Sequence, residues 1–146
     1  MAKIIDGKKI SAEIKEELKD RSCSICSTGK KNVHLLSFRW AQIRHPAYMI
    51  RNKKKACAYI GIESLSYELP EENHGRGTAC IDSELNDNPD VHGILCQLPL
   101  PKHICEDHVI QAIDPQKDVD GFHPQNVGAL VVGKKGFVSC TPAGII

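Results

Sequence analysis

The stretch Val91-His92-Gly93-Ile94-Leu95-Cys96-Gln97-Leu98-Pro99-Leu100-Pro101, with Lys117-Asp118-Val119-Asp120-Gly121-Phe122-His123-Pro124 after it, decides the fold. Ile94, Leu95 and Cys96 are apolar at consecutive positions, which suits a strand covered on both faces in a parallel sheet. Each half of the stretch also places polar groups where an apolar run stops, Gln97 in one and two aspartates in the other. A buried binding site is furnished in this way.

On the N-terminal side, Ile10, Ile14 and Leu18 recur four apart among lysines and glutamates, the pattern of an amphipathic surface helix over residues 6–20. The spacing predicts a second helix over 51–60 that ends at Gly61, a strand over 63–69, a helix over 81–85, a strand over 91–98, and a helix over 109–113 closed by Pro115. Helices alternating with short buried strands imply an α/β fold, a three-layer sheet with helices on both faces. Its crossovers would be right-handed and its ligand crevice would lie beyond the strand carboxyl ends. Gln97 falls at such an end. Near the C-terminus Thr141 reads as a helix N-cap and Pro142 as the first helical residue. A helix of about one turn cannot repay its nucleation, so the coding sequence is expected to have continued past Ile146.

With 41% hydrophobic and 25% charged residues over 146 positions, the chain has the make-up of a globular domain with one ordinary core. The formal charge is +1 and basic residues cluster only at Lys53-Lys54-Lys55, so no broad field points to nucleic acid or to an acidic membrane. No apolar run approaches the roughly 20 residues of a membrane span, and the N-terminus passes directly into charged helical sequence. The expected location is the cytoplasm. Seven cysteines are an odd count, and no second pair matches Cys23-Ser24-Ile25-Cys26, so a tetrahedral zinc site lacks its other half. Reduced, half-buried thiols are expected, and no metal.

Lys53 is flanked by Lys54 and Lys55, which do not share its helical face, and taken alone the three read as a solvated charged helix. A lysine acts as an acid or base near neutral pH only where burial or nearby positive charge lowers its pKa, and a glutamine amide such as that of Gln97 can hold its amine in place. Asp118 and Asp120 are two apart, so in an extended segment both carboxylates face the same way, and Gly121 allows a sharp turn after them. A carboxylate there can accept a paired hydrogen bond from an amino-pyrimidine edge. Spacing alone favours a plainer arrangement, a loop whose aspartates cap backbone amides. His123 before Pro124 reads as a turn residue, and no Gly-x-Gly-x-x-Gly is present to cradle a dinucleotide.

Five ordered segments carry a resemblance: Ile5-Asp6-Gly7-Lys8, Arg51-Asn52-Lys53-Lys54-Lys55-Ala56-Cys57, Gly93 to Pro101, Lys117 to Gly128, and Cys140-Thr141-Pro142-Ala143-Gly144. Together they are similar to the methylenetetrahydrofolate dehydrogenase/cyclohydrolase family of one-carbon metabolism, and nearly the whole chain resembles that family's N-terminal catalytic domain. The resemblance implies interconversion of methylene-, methenyl- and formyl-tetrahydrofolate in the cytoplasm, on routes that include purine biosynthesis, by a homodimer. It implies Lys53 as the catalytic lysine, Gln97 as the glutamine bonded to it, Asp120 as the carboxylate on the pterin ring, and Cys96 and Leu98 as lining of the folate cleft. In the family, hydride passes to NADP on a Rossmann domain that would follow Ile146. This chain alone is therefore expected to lack dehydrogenase turnover, and a folate-binding remnant or nonfunctional fragment is the alternative. A cysteine-based metal or interaction module is a weaker third.

Two stretches depart from the family pattern. The family has a tyrosine four residues before the lysine, in a segment similar to V-G-D-D-P-A-S-Q-x-Y-V, whereas Tyr48 here stands five before Lys53. Five residues turn about 500° on a helix, which sets Tyr48 roughly 140° from Lys53, so the substrate-side role it would inherit does not transfer simply. Back-translating Ser37 to Tyr48 and reading each codon from its third base permits V-S-V-G-A-D-P-A-S-S-I-Y. The same exercise from the second base on Asn73 to Ile81 permits I-T-E-E-E-L-L-A-L. Compensated frameshifts over about residues 22–50 and 73–80 are the hypothesis. On that account Ser37-Phe38-Arg39-Trp40-Ala41-Gln42-Ile43-Arg44 replaces an inner strand and is expected to bring charge into the sheet, at several kcal/mol per unpaired ion. Gly75 and Gly77 would likewise replace helix formers.

Overall fold

A computed structural model describes residues 4–29, 32–40, 47–69 and 84–145. The elements run α1 (Gly7–Ser27), β1 (His34–Trp40), α2 (Ala47–Ile60), β2 (Glu63–Leu69), β3 (Gly93–Cys96), α3 (Glu106–Ala112), α4 (Pro124–Val131) and α5 (Cys140–Ile145). The chain divides into two compact units, Met1–Val33 with His45–Ser64, and His34–Arg44 with Leu65–Ile146.

In the first unit α1 begins where the Asp6 carboxylate accepts hydrogen bonds from the Lys8 and Lys9 amides at 3.0 and 3.1 Å, satisfying two of the amides that a helix start leaves open. The helix runs seven residues past the predicted Asp20, through Cys23 and Cys26. It meets α2 through its polar side. The Tyr59 hydroxyl donates to Glu16 Oε1, the Lys19 amine stands 4.9 Å from the Tyr59 ring centroid, and Ser22 Oγ donates to Gly61 O. The predicted apolar stripe of Ile10, Ile14 and Leu18 is consequently exposed, 39% or more at each residue.

The second unit holds a three-stranded sheet in the order β2-β1-β3. β1 and β3 are parallel, with Leu36 opposite Ile94 and Phe38 opposite Cys96. Its core gathers Leu36, Phe38, Trp40, Leu85, Val91, Ile94, Cys96, Leu100, Val109 and Ile113. All four β3 residues are buried, as the unbroken apolar run required, though the regular strand is four residues long instead of the predicted eight. Beyond β3 the 117–119 segment joins the sheet by a parallel bridge between Ile94 and Asp118. The Ile94 amide donates to Lys117 O at 2.7 Å and the Val119 amide to Ile94 O at 3.4 Å.

Over residues 37–40 the central strand β1 corrects the expectation of charge in the sheet interior, while residues 41–44 of that stretch lie outside the described residues. The strand's burial alternates, with Leu36, Phe38 and Trp40 turned inward and Ser37 and Arg39 half-buried on the other side. Arg39 is paired, its guanidinium 2.8 Å from Glu68 Oε2 on β2, and Ser37 Oγ donates to Leu65 O at 3.3 Å. The misfit in this strand is a different atom. Trp40 Nε1 is buried and has no hydrogen-bond partner among the described residues, at a cost of about 1–3 kcal/mol.

Elsewhere the boundaries shift. Strand β2 matches its prediction, α2 starts four residues before Arg51, and α3 occupies Glu106–Ala112 in place of 109–113. Helix α5 begins at Cys140, so Thr141 lies inside it and not at its cap. Residues 81–83 of the predicted 81–85 helix, and the whole of 73–80, lie outside the described residues.

Candidate functional site

In the second unit the site is built where β3 ends. Gln97 follows Cys96 directly, and its amide donates to Phe38 O on the neighbouring strand at 3.1 Å, which extends the parallel ladder by one residue and fixes where its side chain leaves the sheet. The Gln97 side-chain Nε2 lies 3.4 Å from Leu98 O. Leu98 is half-buried and packs against the core, and the Leu98-Pro99 peptide is cis. Cys96 is buried at the strand tip. Burial, reinforced by the Asp120 and Glu106 carboxylates, pushes its thiol up to about 12, so it is a neutral lining group and not a nucleophile. The parallel bridge of Ile94 with Asp118 carries the chain so that Asp120 comes level with Cys96, and four of the six sequence-selected residues, Cys96, Gln97, Leu98 and Asp120, lie toward one end of the sheet.

Residues 119 and 120 lie in a turn, so the extended geometry that would set both carboxylates on one side does not apply, and Asp118 takes the plainer role of accepting backbone amides. Asp118 is 3% exposed and its carboxylate is taken up by neighbours. Oδ1 accepts from the Gly121 amide at 3.2 Å, while Oδ2 accepts from the His123 amide at 2.8 Å and from Asn126 Nδ2 at 3.0 Å. The chain bends sharply after Asp120, with Gly121 at φ +67°, and Asp120 is half-buried. Lys117 also has a structural task, its amine donating to Leu85 O, Asn86 O and Asn88 O at 2.6–3.0 Å. His123 is the N-cap of α4, Nδ1 accepting from the Gln125 amide at 3.1 Å, in agreement with the turn-residue reading. Sequence reasoning overlooked Asn126, although His123-Pro124 was a helix-start signal that would have placed it in a first turn.

In the first unit, Lys53 is on α2 and exposed, as are Lys54 and Lys55. One turn on, Cys57 has its thiol pushed up by partial burial, which outweighs the opposing influences of a backbone hydrogen bond and of Lys53. Because α2 runs unbroken from Ala47 to Ile60, the angular argument about Tyr48 applies to a real helix. Tyr48 is 58% exposed and off the Lys53 face, and Met49 occupies the position one turn before the lysine. A groove of about 500 Å³ between α1 and α2, lined by Lys15, Lys55 and Tyr59 among others, includes none of the six selected residues. Among the described residues no three His, Cys, Asp or Glu side chains are grouped to hold a metal ion, and no helix is long and apolar enough to cross a membrane.

Residues 5–120 match the model of the tetrahydrofolate dehydrogenase/cyclohydrolase catalytic domain. The chain belongs to that family. It is 54% identical over all 146 residues to the bifunctional protein FolD of Agathobacter rectalis, of which it covers 52%. Among solved structures, it superposes on the bifunctional FolD methylenetetrahydrofolate dehydrogenase/cyclohydrolase of Campylobacter jejuni with a TM-score of 0.89 at 44% identity, over 96% of this chain and 50% of that one. The Trypanosoma brucei methylenetetrahydrofolate dehydrogenase-cyclohydrolase, solved with NADP and an inhibitor, gives 0.87 at 28% identity, over 99% of this chain and 50% of that one. The α/β fold is thus that of the catalytic domain of the family, and the chain spans about half the length of the relatives it matches.

Proposed function

We propose that this chain binds tetrahydrofolate derivatives and takes part in interconverting their methylene, methenyl and formyl forms in one-carbon metabolism. The observation that carries the reading is the family match over 5–120, which takes in Lys53, Gln97 and Asp120 together. The convergence of Gln97, Asp120, Cys96 and Leu98 at the end of β3 supports it. In the proposed hydrolytic step a water oxygen bonds to the carbon of the cationic methenyl bridge and loses one proton to solvent; the hydroxyl so formed then passes its remaining proton to one of the two bridged nitrogens as that nitrogen's bond to the carbon breaks, and the formyl group stays on the other nitrogen. Lys53 assists the proton transfers, and Asp120 accepts the paired hydrogen bond of the pterin.

NADP serves as hydride acceptor in this reading of the family, but the residues present do not fit a dinucleotide. No Gly-x-Gly-x-x-Gly turn occurs, and the starts of α1 and α4 are capped by the Asp6 carboxylate and by His123. No step is assigned through the nucleotide, and NADP-dependent turnover by these 146 residues alone would overturn that assignment. Homodimer formation and a cytoplasmic location are proposed on the family resemblance alone.

Hydrolysis of methenyltetrahydrofolate, followed by its loss of absorbance, tests the reading. The rate is expected to disappear with Lys53→Ala, and an unchanged rate removes Lys53 from the mechanism. The alternative, a folate-binding remnant without turnover, is favoured by Met49 standing where the family has its tyrosine. It predicts binding of tetrahydrofolate with no hydrolysis by the unmodified chain.

A further inference from the structure

Asp120 is held in a loop that is closed on both sides by its neighbours. The Gly121 amide reaches both Asp118 O, at 3.3 Å, and Asp118 Oδ1, at 3.2 Å, so residues 118–121 form a turn with Asp120 inside it. Asp118 Oδ2 then draws in the His123 amide and Asn126 Nδ2. Asn126 is 5% exposed and extends the network, its Nδ2 also donating to Pro115 O at 2.9 Å and its Oδ1 accepting from the Phe137 amide at 3.4 Å. On the far side the chain passes so near Gly121 that a Cβ there would stand 2.9 Å from Phe137 O. The backbone of Asp118 is itself bridged to Ile94 in β3.

We infer that Asp118, supported by Asn126, is a positioning residue for folate binding: its buried carboxylate fixes the turn that aims Asp120, and it acts through Asp120 without touching the ligand. The inference rests on the reading of Asp120 as the pterin-binding carboxylate. A buried carboxylate accepting three N–H groups has few alternative arrangements. Asparagine in its place offers an amide hydrogen to donors that need an acceptor, which opens the turn.

A double-mutant cycle on the 146-residue chain, read by calorimetric titration with tetrahydrofolate, tests this. Asp118→Asn is expected to weaken binding about tenfold and Asn126→Ala about threefold. In an Asp120→Asn background neither should weaken it further, because the group they aim is gone. Losses that multiply across the cycle show a general structural effect and overturn the inference. If Asp120→Asn weakens binding while Asp118→Asn and Asn126→Ala do not, the positioning role alone fails. If Asp120→Asn binds like the unmodified chain, the pterin role of Asp120 fails and the inference goes with it. Should Asp118→Asn give no cooperative thermal transition, Asn126→Ala, which leaves the carboxylate in place, carries the test.

Discussion

Gly93 and Val119 approach so closely that a Cβ on Gly93 would stand 2.6 Å from Val119 Cγ1. This contact lets the 117–119 segment lie flat against β3, which in turn brings Asp120 to the end of the strand that carries Cys96 and Gln97. A γ-methyl on a branched side chain has little room to retreat. Gly93→Ala is therefore expected to lower stability by about 1–3 kcal/mol through overpacking, and to weaken folate binding as well. Gly128→Ala in α4 is the control, since a Cβ there meets nothing within 4 Å. It should be neutral or stabilise by up to about 1 kcal/mol. Thermal melts of both variants check the pair.

Trp40 concentrates the tension in β1. Removing the whole side chain with Trp40→Ala should cost about 3–5 kcal/mol, as for other large core truncations. Trp40→Phe gives up some packing but also removes the buried N–H without a partner, and its net effect is expected within about 1 kcal/mol of zero. A Phe variant as damaged as the Ala variant, by denaturant unfolding, would show that the indole N–H is satisfied after all.

Cys96 makes a prediction about pH. An ordinary thiol near 9.0 is raised here to about 12, so the folded chain holds this proton more tightly than the unfolded one. Its contribution is fully present below about pH 9 and is lost as pH rises toward 12, by up to about 1.4 kcal/mol per pH unit. Stability of Cys96→Ala should accordingly fall less steeply above pH 9 than that of the unmodified chain. At about pH 8, alkylation mapped by mass spectrometry should mark the exposed Cys23, Cys26, Cys105 and Cys140 before Cys96.

The frameshift hypothesis makes a prediction about the gene. Single-base gains or losses should flank the codons for about residues 22–50 and 73–80, and restoring them should yield the family tyrosine four before Lys53. Sequencing the coding DNA decides it. The structure of β1 means that such a history need not leave an unfoldable strand, because Leu36, Phe38 and Trp40 happen to keep the alternation that a sheet requires.

Much of this was readable from residue order alone, for identifiable reasons. The Asp6-Gly7 start of α1, strand β2 and the buried heart of β3 each follow from a local signal, whether a cap, an alternation or an apolar run. In strand β1 residue order alone does not show that the face carrying Arg39, opposite Leu36 and Phe38 by the period of two, offers Glu68 as a partner. Helix α4 was overlooked despite Pro124 at its first position. The site was half legible. Gln97 and Asp120 stand at a strand end and a turn, where chemistry collects, but nothing in an Asp-Val-Asp pattern says which carboxylate turns inward. That division depends on Asn126 and Phe137, brought alongside only by the fold. The stripe on α1 was visible, but what it would meet was not, because Tyr59 recruits Glu16 and Lys19 from another side of the helix.

The central claim is that these residues form a folate site, and titration of tetrahydrofolate into the isotope-labelled chain, observed by amide NMR, tests it most directly. The account predicts saturable shifts at Gln97, Leu98, Asp120 and Gly121, all following one binding curve. Absence of binding, or shifts confined to the groove lined by Lys15, Lys55 and Tyr59, would contradict it.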